Sequence, residues 1–98
     1  MDVSEKVAEL KLWISENMGG EVDRPRREFR PEIYGFRIRV PDIQPPPMLW
    51  VSLEALEDHA VEKIWNDLER QRVPGMLLTD PAQHLLYTTT GEVKRYDP

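Results

Sequence analysis

Apolar residues recur at Val3, Val7, Leu10, Ile14 and Met18. These spacings of three and four line one face at 3.6 residues per turn and predict a first helix. Asp2 stands as its N-cap with Glu5 three residues on, a capping-box pair. Gly19-Gly20 end it, because glycine reaches the left-handed conformation that closes a helix. Trp13 flanks the stripe, and Leu12 projects to the opposite side among Glu5, Glu9 and Glu16. Pro25 and Pro31 limit residues 21–32 to an irregular edge strand or loop.

From Ile33 the period becomes two. Tyr34, Phe36, Ile38 and Val40 point one way and Gly35, Arg37 and Arg39 the other, which predicts a half-buried strand with an arginine-bearing outer side. The "PDIQPPP" segment, Pro41 to Pro47, breaks it as a stiff connector without PxxP spacing. "MLWVS" supplies a short strand, and Ser52 N-caps a second helix from about Leu53 to Gln71. Its stripe is Leu53, Leu56, Ala60, Val61, Ile64, Trp65 and Leu68. "VPG" reads as its stop and "MLLT" as a strand. "DPAQ" is a turn, residues 84–88 a strand, and "TTTG" a turn before a last strand at about Glu92 to Tyr96.

The predicted fold is a single α+β domain over residues 1–98. One antiparallel meander of about five strands carries two helices on one face, in the order α-β-β-α-β-β-β. That order resembles the compact acidic secretion chaperones and the roadblock-type dimerisation domains, a likeness of architecture that carries no motif and transfers no activity.

Composition narrows the chemistry. There is no cysteine, which excludes disulfides, thiolate nucleophiles and Cys-type zinc sites. No apolar run reaches the length of a membrane span, and "MDVSEKVAEL" is acidic and amphipathic, unlike a signal peptide. The expectation is a small soluble cytoplasmic protein. At 98 residues such a domain buries a modest share of its surface, so self-association would help it.

Charge is unevenly placed. The run from Arg24 to Val40 holds six arginines and two acids, net +4, and leaves −9 to the rest of a chain of net charge −5. Arg26, Arg27, Arg30, Arg37 and Arg39 are therefore candidate partner-binding residues. Glu54, Asp58 and Glu62 stand at successive i,i+4 positions on the second predicted helix and form an acidic ridge that a second copy's arginines would match. The Arg24–Arg39 segment also admits nucleic acid as an alternative partner. Strand parity speaks against it, since Tyr34 and Phe36 face away from Arg37 and Arg39 and stacking needs rings and cations on one surface.

Catalytic patterns are weak. Glu57 falls inside the apolar arc, where a carboxylate must be paired or raised in pKa. Asp58, His59 and Glu62 have chelating spacing but lack the further ligands a metal site needs. Asp80 and His84 flank a turn without a nucleophile to activate. Pro41-Asp42 and Glu92-Val93-Lys94 resemble the two halves of the PD-(D/E)xK nuclease signature, separated by most of the fold. The sequence thus predicts no catalytic residue, no metal and no cofactor. It favours a non-catalytic protein-binding or regulatory module that self-associates, over a nucleic-acid-binding protein or nuclease.

Overall fold

Asp2 caps the first helix as its spacing demands, its carboxylate accepting the Glu5 N–H at 2.9 Å. The computed structural model describes residues 2–29 and 32–97. Helix α1 runs Val3–Met18 and ends at Gly19, whose φ of 69° is the left-handed turn expected there. Two short strands, β1 (Glu21–Val22) and β2 (Arg26–Phe29), then flank Pro25. Both pair antiparallel with the long strand β3, Glu32–Arg39. Strand β4 is Met48–Ser52, and Ser52 caps the next helix by accepting the Ala55 N–H at 3.1 Å.

The next stretch departs from the sequence expectation. The helix predicted from Leu53 to Gln71 is two helices, α2 (Leu53–Asp58) and α3 (Val61–Arg70). His59 and Ala60 between them are extended. A contact from outside supports the break: the Lys6 ammonium on α1 donates to Leu56 O at 2.6 Å and His59 O at 3.0 Å. It thereby satisfies carbonyls that a continuous helix would have bonded internally. "MLLT" is not a strand but part of α4, Val73–Thr79, and Pro74 sits in its first turn. There the missing N–H costs nothing, so the "VPG" read as a stop is a start.

These helices turn the predicted meander into a mixed sheet. Strand β5 (His84–Tyr87) runs parallel to β4, because the chain crosses back through α2, α3 and α4 before re-entering. Strand β6 (Val93–Arg95) closes the sheet antiparallel to β5. The order is β1-β3-β4-β5-β6, with β2 also on β3. Among the described residues there are six strands rather than five and four helices rather than two; the α+β class holds.

The strand periodicity sorts residues between two layers. Phe36 and Ile38 are fully buried with Leu49, Val51, Leu85 and Tyr87 on the face that meets all four helices. Trp13 of α1 meets Trp65 of α3 edge-on at 6.2 Å. Arg37 and Arg39 point outward and are exposed, as predicted. The outer face is not merely polar, however. Ile33, Met48, Trp50 and Leu86 form a second buried cluster there, joined by Tyr96. No helix among the described residues is long and apolar enough to cross a membrane.

Candidate interaction surface

Register lays the outer face out as rows, because residues directly opposite on neighbouring strands share a face. One row runs Arg26, Gly35, Trp50, Leu86, Lys94 across five strands. The next, toward the C-terminal end of β3, runs Arg37, Met48, His84. The far row is Glu28, Ile33, Ser52. Trp50 holds the middle together. Its ring lies over Gly35, where an added Cβ would stand 2.5 Å from Cζ3. Its indole N–H donates to His84 Nδ1 at 3.1 Å, and Tyr96 closes over it with ring centroids 5.4 Å apart.

Three of the four described candidate arginines balance charge locally. Arg26 pairs with Glu28 at 2.9 Å, Arg27 with Glu32 at 3.2 Å and Arg39 with Asp23 at 2.7 Å. The bond from Arg39 is the main cause holding the Asp23 carboxyl below its usual value. Arg37 makes no ion pair among the described residues. Arg27 lies opposite Tyr34 and so belongs to the other face, with its guanidinium over the rings of Phe29 and Tyr34 at 4.9 and 5.7 Å. Arg30 lies outside the described residues. The outer face thus gathers Arg26, Arg37 and Arg39 at one end and leaves Arg27 behind.

The acidic ridge is divided by the break at His59 and Ala60. Glu54 and Asp58 ride on α2 and Glu62 on α3, all exposed. Asp58 accepts the Thr89 hydroxyl at 3.1 Å, and His59 Nε2 meets Thr89 O at 2.7 Å; both side chains dock the β5–β6 turn. Glu57, read from the helical wheel as part of the apolar arc, is exposed because α2 ends one residue later. Glu54 and Glu57 share a recess with Ile33 and Ser52, at the end of the outer face away from Arg37.

The remaining candidates separate. His84 bonds Trp50 rather than Asp80, whose backbone caps α4. Asp42 follows the C-terminal end of β3, whereas Glu92 precedes β6 beside Thr88, at the opposite end of the sheet. The two halves of the nuclease-like pattern are therefore not brought together. No group of three potential metal-ligating side chains converges among the described residues.

Sequence reasoning missed Asp67, the one charged side chain buried among the described residues. It accepts from Lys63 at 2.8 Å, Arg70 at 2.9 Å and the Tyr87 hydroxyl at 2.7 Å. Burial pushes its carboxyl up, but these three donors outweigh it and hold the group at about 2. Burial and the same carboxylate push the Tyr87 phenol up. A carboxylate kept ionised by three donors suits an anchor between α3 and β5 rather than a proton donor. Only the i,i+4 spacing from Lys63 and the i,i+3 spacing to Arg70 hinted at it. No family model, curated protein or solved structure matches the chain.

Proposed function

We propose that this chain is a non-catalytic protein-binding module whose first partner is a second copy of itself. The observation that carries this reading is the polarity of the outer sheet face. Arg26, Arg37 and Arg39 stand at one end, and at the other Glu32, Glu54 and Glu57 outnumber Lys94 in a shared recess. The Arg37 and Ile33 rows are four residues apart on β3, about 13 Å at strand rise. A two-fold axis in the plane of that face and perpendicular to β3 lays each copy's arginines against the other's acids, so the contact is self-complementary and closes as a dimer. The outer apolar cluster is already buried within one chain, which leaves charge to set the register.

Sedimentation at micromolar concentration tests this. Association should weaken between low and moderate salt. Arg37→Glu and Glu54→Arg should each weaken it about tenfold, and the two together should recover most of the loss. A chain that sediments as a monomer throughout, or two reversals that simply add, would defeat the reading.

Nucleic-acid binding keeps one specific observation in its favour: Trp50 and Tyr96 share the arginine face, unlike Tyr34 and Phe36. Trp50 is only 2% exposed, too little for a base to stack on it. A gel shift with single- and double-stranded DNA and RNA that weakens steeply with salt would favour this reading instead.

A further inference from the structure

At the arginine end, the outer face dips into a recess of about 260 Å³ lined by Arg26, Arg37, Arg39 and His84. Its walls are Pro45, Pro46 and Pro81, residues that present carbon and have no N–H. No carboxylate lines it. Arg26 and Arg39 meet their carboxylates through Nε, so their terminal amines remain to donate elsewhere. Arg37 has no ion pair among the described residues. His84 accepts from Trp50 at Nδ1, so its neutral ring carries the proton on Nε2 and is there a donor. The polar side chains of the recess therefore present donors, and the charge of Arg37 is not balanced by an ion pair among the described residues.

We propose that this recess binds a phosphoryl group. A single carboxylate offers two oxygens, too few for the free N–H groups of three guanidinium groups and an imidazole. A phosphoryl dianion offers three acceptor oxygens, and guanidinium forks match its edges. The proline walls suit a small organic group attached to it. The site is complete in one chain and does not require self-association, although a bound phosphoryl group would compete with a second copy for Arg26, Arg37 and Arg39.

The test is a ¹H–¹⁵N titration at low ionic strength, on protein dilute enough to be monomeric, with inorganic phosphate and with phenyl phosphate. The Trp50 indole resonance, identified by its loss in Trp50→Phe, reports on His84. It should shift and saturate with either ligand, and not with sodium acetate at equal ionic strength. Tighter phenyl phosphate assigns a phosphomonoester; tighter inorganic phosphate assigns the free ion. Arg37→Gln, an exposed change that should leave the far-UV circular dichroism unaltered, should weaken binding at least about tenfold. Absence of a saturable shift, an equal response to acetate, or full affinity in Arg37→Gln overturns the site.

Discussion

The indole N–H of Trp50 donates to Nδ1 of His84 across 3.1 Å, and the two rings lie side by side with centroids 6.2 Å apart and an interplanar angle of 28°. This bond joins β4 to β5 on the outer face and fixes which imidazole nitrogen carries the proton. Burial lowers the His84 pKa below its ordinary 6.5, and the charge of Arg37 pushes the same way against Asp97. A second proton must go to Nδ1, which deprives the indole of its acceptor.

Titration of the His84 ring by NMR should therefore show a midpoint below 6.5. Since the folded value is depressed, the contribution to stability is present above the unfolded pKa and is lost as pH falls through the folded one. Arg37→Gln should move the midpoint upward, toward the ordinary value. A wild-type midpoint at or above 6.5 would mean that the ring is neither buried nor held by Trp50.

Gly35 leaves room for the Trp50 ring. A Cβ there would meet Cζ3 at 2.5 Å and Cε3 at 2.8 Å, while His84 and Tyr96 restrict where the ring can go. Gly35→Ala should cost about 1–3 kcal/mol in chemical denaturation, the range for overpacking. In a Trp50→Phe background the smaller ring should relieve part of that cost, a coupling that a double-mutant cycle measures directly. Simple additivity would show that the two residues do not meet.

What the sequence made legible follows the range of the forces involved. The caps of α1 and the alternation of Phe36, Arg37, Ile38 and Arg39 are local and were readable. The break between α2 and α3 was not, because its cause includes Lys6, fifty residues away from Leu56. The apolar stripe through Ala60 and Val61 continues across the break without a sequence signal. Pro74 carried two meanings, a stop for one helix or the first turn of the next, and only the left-handed Arg72 before it, with φ 59°, decides between them. With α4 misread as a strand, the crossover was lost and with it the parallel pairing of β4 and β5. The arginine end of the candidate surface was legible from Arg37 and Arg39. His84 and Trp50 joined it only through that pairing.

Asp67 gives a pH dependence of its own. Its carboxyl falls from 3.8 to about 2 in the folded chain, so its stabilising contribution is present above about 3.8 and is lost as pH drops toward 2. Lys63 and Arg70 are themselves exposed, and with solvent screening the contribution is on the order of 1–2 kcal/mol. Asp67→Ala should cost more, about 2–4 kcal/mol, because it also strips the buried Tyr87 hydroxyl of its acceptor. Adding Tyr87→Phe removes that orphan and should recover part of the loss. If acid denaturation of Asp67→Asn follows the wild-type curve between pH 4 and 2, the carboxylate is not the anchor described.

Gln71 follows α3 and ties the last hairpin to it. Its amide nitrogen donates to Asp67 O at 3.0 Å and Gly91 O at 2.8 Å, and its amide oxygen accepts from Val93 N at 3.0 Å. The turn it holds also packs Gly91 against the Asp67 carboxylate, where a Cβ would stand 3.0 Å from Oδ2. With φ at 86°, this position disfavours any side chain. One side chain thus bridges a helix end, a left-handed turn and the start of β6. Gln71→Ala leaves the Gly91 carbonyl and the Val93 N–H without these partners, at about 1–3 kcal/mol. Because the loss is confined to one end of β6, it should appear first as faster amide exchange at Gly91 and Val93, while the helix-facing core at Leu49 and Leu85 keeps its protection. Uniform acceleration across β4 and β5 would instead make the hairpin part of the same cooperative unit as the core.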